Sequence, residues 1–226
     1  RSSDLAMIWD FLLNATENAY GTAAIMGNLM AESSLNPRCV TGIKDPEYIS
    51  KADNDEIDFA SDRHAFGLVQ WCYPTRKGGL QKYAKQTGRS VGHLQMQLEY
   101  MVKEMSESYK SVWKAVTEAK SIRGASDVVM LKYEKPATTT EAAKQKRADY
   151  GQKYYDQFAK KPDPEPTPGK KMARAKSQVN IRIQPDKSTA KLGELKKGQS
   201  VELIGEEKGF YKVAVYIMKD YAEVIS

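Results

Sequence analysis

Two cysteines and two histidines in 226 residues leave little room for thiol or metal chemistry. A nucleophilic Cys needs a His partner, and only His64 and His93 exist, which argues against Cys39 or Cys72 in that role. The four residues lack the C-x₂₋₄-C or H-x₃₋₅-H spacing of a zinc site, and no cofactor is expected. One bridge, Cys39–Cys72, is available; in the chain-entropy model it would contribute roughly 3–4 kcal/mol. Two free thiols fit the count equally well. No stretch approaches the ~18 apolar residues of a membrane span, so membrane insertion is not expected. No signal-peptide core opens the chain, which begins at Arg1 rather than Met, so this end is silent on export. The length suffices for one large core, or a medium core and a small one.

What is present begins with Ala23–Ser33, which reads as a buried helix with Thr22 as its N-cap after Gly21. Ile25, Asn28, Leu29 and Glu32 recur at i, i+3, i+4 and i+7 and so share one face. That face is apolar until its last turn, where it carries a carboxyl. Asn36-Pro37 then stops the helix, because a residue before proline is pushed out of the α region. Burial and the negative end of the helix dipole both disfavour the charged form of Glu32. Such a group can hold a proton near neutral pH, as a general acid must. The same pattern also fits a half-exposed Glu with no chemistry.

The wider arrangement separates these readings. Gly27 to Pro37, with Glu32-Ser33 at its centre, is followed by Phe66-Gly67-Leu68-Val69-Gln70-Trp71 and Arg76. Gly79-Leu80, Tyr83-Ala84, Leu94 to Tyr100 and Tyr133-Glu134-Lys135-Pro136 come later in order. This series resembles the phage tail-type lysozyme family, part of the lysozyme-like group of peptidoglycan hydrolases, over about the first two-thirds of the chain. The resemblance implies Glu32 as catalytic acid, and Gln70, Arg76, Tyr133 and Glu134 as cleft residues. Trp71 and Tyr73 are candidates for stacking on sugar faces or for filling core, and the residues leave both open.

Taken in order, Leu5, Ile8, Trp9 and Leu12 form a helical stripe, giving a first helix over Asp4–Glu17 with Trp9 in the core. Thr41–Arg63 shows no helical period and holds seven acids. Long loops of this kind are often functional. It lacks the Gly and Glu of a calcium loop, so it reads either as solvated surface or as a cleft wall. As a wall it would supply the second carboxylate of glycoside hydrolysis, with Asp58 and Asp62 the nearest candidates. From Gly79 the chain is mostly helix: one ends at Gly88, the next follows Ser90 with a Met-rich packing stripe. Val112, Trp113 and Val116 continue the pattern, and Asp127 opens a short piece, Val128–Tyr133. Thr139 or Thr140 caps a last helix whose stripe is Ala143, Arg147, Tyr150, Tyr154 and Phe158.

Residues 159–174 read as a linker, because alternating prolines exclude helix and central strand. Beyond it the period becomes two. Val179–Ile183, Val201–Ile204, Tyr211–Val215 and Glu223–Ile225 are short strands, divided by turns at Lys197-Gly198 and Glu207-Lys208-Gly209. Val179-Asn180-Ile181-Arg182, Leu195 to Gly198 and Gly209 to Val213 resemble a bacterial SH3 domain, a frequent wall-binding partner of such enzymes. The usual Gly-Pro turn is Gln184-Pro185 here, and Asp220-Tyr221-Ala222 replaces a Gly-aromatic strand, so ligand identity stays open.

The expected architecture is multidomain: a mainly α lysozyme-like catalytic domain (1–158), the linker (159–174), and a small all-β SH3-like barrel (175–226). From Ala159 onward, 14 Lys and Arg stand against nine Asp and Glu, most of the chain's net +6. That charge suits an anionic wall polymer. Nucleic acid is not expected, since no recognition helix or RNP pattern accompanies the linker lysines. The resemblance implies a monomeric enzyme that acts on bacterial peptidoglycan, outside the cell or at the wall. It would cut β-1,4 links as an N-acetylmuramidase. A lytic transglycosylase or N-acetylglucosaminidase is the alternative on the same strand. A non-catalytic wall binder is the rival of another class, and the presence of both Glu32 and Gln70 argues against it.

Overall fold

Asn18, not Thr22, starts the helix that carries Glu32. Its Oδ1 accepts from Gly21 N at 3.0 Å, so the helix begins a turn earlier than the sequence suggests. Thr22 lies inside the helix, fully buried, with its hydroxyl 2.8 Å from that of Thr16. Both residue types cap helices well, and the earlier one takes the position.

The computed structural model describes residues 2–159, 171–195 and 199–215. Contacts divide the chain into two compact units, 1–160 and 161–226. In the first, α1 is Ser2–Thr16, α2 Ala19–Ser33, α3 Tyr48–Asp53 and α4 Pro74–Thr87. Then come α5 Leu94–Ser108, α6 Lys110–Thr117, α7 Ile122–Val128 and α8 Glu141–Tyr154. Two π-helical segments, Val129–Glu134 and Tyr155–Ala159, extend α7 and α8. The α3 helix corrects the expectation of an unstructured acidic loop. It forms because Tyr48, Ile49 and Ala52 bury one side, and its six residues are too short for a visible period. Capping also differs at α5, where His93 rather than Ser90 accepts from Met96 N. At α4 and α8, Gly88 and Thr140 cap as expected.

The α2 helix is the axis of this unit, packed by α1, α6, α7 and α8. Every residue from Gly21 to Leu29 is buried, so the helix is enclosed all round rather than on one face. Its closest neighbour is α8. A Cβ at Gly27 would sit 2.3 Å from Arg147 O and 2.7 Å from Gly151 N, and one at Gly151 would sit 2.7 Å from Ala23 O. The two backbones touch because both helices carry glycine there. Gly27→Ala would add about 1 kcal/mol of helix propensity. Overpacking against backbone, which cannot rotate away, costs about 1–3 kcal/mol. The clash wins, so Gly27→Ala should lower the midpoint of thermal unfolding; an unchanged or raised midpoint would show that the helices do not meet here.

In the second unit the strands are β1 Met172–Arg174, β2 Val179–Arg182, β3 Lys191–Leu195, β4 Ser200–Glu207 and β5 Phe210–Val213. They form an antiparallel sheet ordered β1-β4-β5 and a separate β2-β3 ladder, so no closed barrel exists among the described residues. The β1 strand falls at the end of the stretch read as linker; three residues are too few to show a period of two. β3 was not foreseen either. The expected strand Glu223–Ile225 and the turn at Lys197-Gly198 lie outside the described residues.

Candidate active site

Glu32 occupies the last turn of α2, which closes at Ser34 in the left-handed conformation. Ser33 Oγ donates to Leu68 O at 2.9 Å, tying this end to the Phe66–Trp71 segment. Gln97 of α5 clamps the same segment from the other side. It accepts from Leu68 N at 2.9 Å and donates to Pro37 O and Val91 O, each at 2.7 Å. The helix terminus, the stop at Pro37 and the Gly-Leu-x-Gln segment are thus one hydrogen-bonded body.

The Glu32 side chain is 17% exposed and forms an ion pair with Arg147 Nη2, itself 10% exposed. The carboxyl is thus part-buried, with a guanidinium beside it that the sequence reading does not include. Arg147 comes from α8, held close by the Gly27–Gly151 contact. Its place on an otherwise apolar stripe was the available sign of a buried role.

Three residues read as cleft candidates do converge, but on Glu104 of α5. Trp71 Nε1 donates to Glu104 at 3.0 Å, the Tyr133 hydroxyl at 2.6 Å, and Arg76 twice at 2.8 Å. Arg76 also donates to Tyr133 O at 3.3 Å and lies 4.6 Å from the centre of the Tyr133 ring. Trp71 and Tyr133 are fully buried and Arg76 is 12% exposed, so none of the three presents a free face to a saccharide. Burial, with the Glu104 charge adding to it, drives the Tyr133 hydroxyl well above its ordinary range. Sequence reasoning missed Glu104 because one acid in a Met-rich stripe resembles a surface position. Its spacing from Met101 was the available signal.

Glu134 ends the same π-helical segment that carries Tyr133. Both its carboxyl oxygens are shielded from solvent without a hydrogen-bond partner, as is Arg147 Nε. Burial, then the charge of Glu32, raises the Glu134 carboxyl well above the usual range, against the pull of Arg76 and Arg147.

The acidic-loop candidates are placed otherwise. Asp62 pairs with Lys77 Nζ, which is fully buried, and accepts from Tyr48 Oη at 2.5 Å. Burial works to raise the Asp62 carboxyl, but hydrogen bonds from Lys77, Tyr48 and His64 N outweigh it and the net direction is down. Asp62 is therefore spent on a buried cation rather than free to activate water. Asp58 is exposed and accepts from Ser61 N in its own turn. Gln70 adopts a left-handed backbone with φ 54°. Its amide donates to Gly67 O at 2.8 Å and Cys39 O at 3.3 Å, and it accepts from Thr41 Oγ1 at 2.6 Å, so it pins the loop. Tyr73 is 60% exposed, just before Pro74 opens α4, and of the rings considered it is the one available to stack. Cys39 and Cys72 are free thiols. A surface cavity of about 370 Å³ lies along Gln145, Ala148 and Gln152 of α8, on a different face from Arg147 and without Glu32 in its wall.

An all-α unit whose central buried helix ends in a part-exposed glutamate has the form of a lysozyme-like hydrolase. The chain belongs to the phage tail lysozyme family, which it matches over residues 5–158. Residues 177–221 match the bacterial SH3 domain. No curated protein matches the chain. It is a lysozyme-like peptidoglycan hydrolase with an SH3 module of the wall-binding kind. Among the described residues, no helix is long and apolar enough to cross a membrane.

Proposed function

We propose that the catalytic unit is an N-acetylmuramidase, acting on the β-1,4 links of the glycan strand with Glu32 as general acid. The observation that carries this reading is the placement of Glu32, the one candidate acid that ends a buried helix and still reaches solvent. Glu32 protonates the leaving oxygen as an oxocarbenium-like centre develops on the departing sugar. Arg147 then stabilises the carboxylate that remains. Tyr73 offers a ring face to a sugar. The SH3 module holds the enzyme on peptidoglycan or its anionic polymers, raising its effective concentration at the substrate. The site of action is the outer, wall-facing side of the cell, and the enzyme works as a monomer.

A specific observation favours a second reading. Hydrolysis needs a second carboxylate to activate water or trap the sugar. Asp62 is neutralised by Lys77 and Asp58 serves its own turn. Closure by the sugar's own hydroxyl would then replace water, making the enzyme a lytic transglycosylase. Mass spectrometry of products from purified wall separates the cases. A muramidase leaves reducing N-acetylmuramic acid, and a transglycosylase leaves an anhydro end lighter by one water. A reducing N-acetylglucosamine end would mean the neighbouring bond is cut, and products without new sugar ends would refute both readings.

A further inference from the structure

The surface cavity along α8 lies where the start of α2, the approach to α7 and the middle of α8 meet, outside the Glu32–Arg147 pair. Its volume of about 370 Å³ falls in the range of about 300–1,000 Å³ typical of small-ligand sites. Ile122 and Ala148 are buried and supply the apolar part of its lining. Tyr20 also lines it and is 39% exposed. Tyr155 stacks on the Tyr20 ring at 5.0 Å, with the planes 10° apart, which holds that ring in place. The polar side chains are held too. Arg123 Nη1 donates to Gln145 Oε1 at 2.8 Å, and Gln145 Nε2 donates to Asp149 Oδ1 at 2.8 Å. Gln152 Nε2 donates to Asp156 Oδ1 at 3.0 Å. Among the described residues, Lys120 Nζ, Gln152 Oε1 and Asp149 Oδ2 have no such partner and stay open to a ligand.

The charges around the cavity balance. Arg123 is committed to Asp127 and Glu141, which leaves Lys120 as the cation and Asp149 as the anion. An anionic ligand would gain from one and be repelled by the other, and a wholly apolar ligand would use neither. A sugar suits the set better. Its pyranose ring has an apolar face to lay on an aromatic ring, and its hydroxyls both donate and accept. An acetamido group adds one more donor and one more acceptor. We propose that this cavity binds an N-acetylated saccharide, so that the catalytic unit holds its glycan strand at a second point away from Glu32. Tyr20 supplies the ring face, Lys120 donates to hydroxyl or acetamido oxygens, and Asp149 and Gln152 accept from hydroxyl and amide groups. A second hold on one strand raises its effective concentration at the enzyme, as a linked module would. The inference rests on glycan as the substrate and not on Glu32 as the acid.

The test is nitrogen-15 NMR of the full chain titrated with the β-1,4 trimer of N-acetylglucosamine. The side-chain amides of Gln145 and Gln152 and the backbone amide of Lys120 should shift together and saturate. Tyr20→Ala should weaken the Kd read at these groups by about tenfold. Lys120→Ala alters an exposed, unpaired side chain and serves if Tyr20→Ala does not fold; it should weaken the same Kd several-fold. The β-1,4 trimer of glucose, which lacks the acetamido groups, should also bind there several-fold more weakly. Signals near Tyr73 report the candidate active site in the same titration, so the two sites succeed or fail separately. Shifts confined to the Tyr73 region, or a Kd at the cavity unmoved by both variants, would overturn the cavity proposal and leave the acid untouched. Equal binding of the glucose trimer would overturn it as well. So would a soluble stem peptide that moves the cavity signals when the N-acetylglucosamine trimer does not.

Discussion

Glu104→Ala is expected to destabilise the catalytic unit by about 3–5 kcal/mol, the usual result of removing one partner from a buried ion pair. The size follows from what is stranded. The Arg76 guanidinium, 12% exposed, would lose its counter-charge and two hydrogen bonds. The Trp71 indole N–H and the Tyr133 hydroxyl, both fully buried, would lose their acceptor. An orphaned buried donor costs about 1–3 kcal/mol by itself. Urea unfolding measures the loss, and a double-mutant cycle with Arg76→Ala apportions it. The double variant should be much less destabilised than the two single losses summed, because Arg76 is the group whose isolation is expensive. A loss below about 1 kcal/mol for Glu104→Ala would mean that water or another acceptor replaces it.

The Glu104 cluster also shows what a sequence can and cannot display. The Glu32 helix was legible because eleven residues with one apolar face and an Asn-Pro stop leave few other conformations. Trp71, Arg76 and Tyr133 were legible as a group through the order of their motifs. Their common partner was not, because its spacing from Met101 is a weak sign of burial for an acid on a helix of mixed composition. Arg147 was on the predicted stripe, but a long side chain can lie along an apolar face and still end in water. The same ambiguity affected the acidic loop. Its carboxylates looked like a catalytic supply, yet Asp45 pairs with Lys51, Asp55 with Lys85 and Asp62 with Lys77. Asp53 accepts from Val91 N at 2.7 Å. Asp45 finds its partner six residues away, but the others find theirs 15 to 38 residues away, where only folding brings them together.

The two clusters divide the labour. Glu104 and Arg76 anchor α4, α5 and the Val129–Glu134 segment to one another, which fixes where Glu134 lies. Glu32 is part-exposed over a buried Arg147, which leaves its carboxyl the more open of the two to a reacting oxygen. On the proposed reading stability is concentrated in the first pair and chemistry in the second, so substitutions should separate them.

Glu32→Gln is the most direct trial of that division. The amide oxygen can still accept from Arg147, so the variant should keep the wild-type circular dichroism and its affinity for purified wall. An amide has no acidic proton to deliver, and positioned acids of this kind contribute about 10²–10⁴-fold to rate. The initial rate of appearance of new glycan ends, measured on purified peptidoglycan with equal amounts of bound enzyme, should therefore fall by about that factor. A Glu32→Gln protein that binds the wall and releases glycan ends at the wild-type rate would contradict the account at its centre.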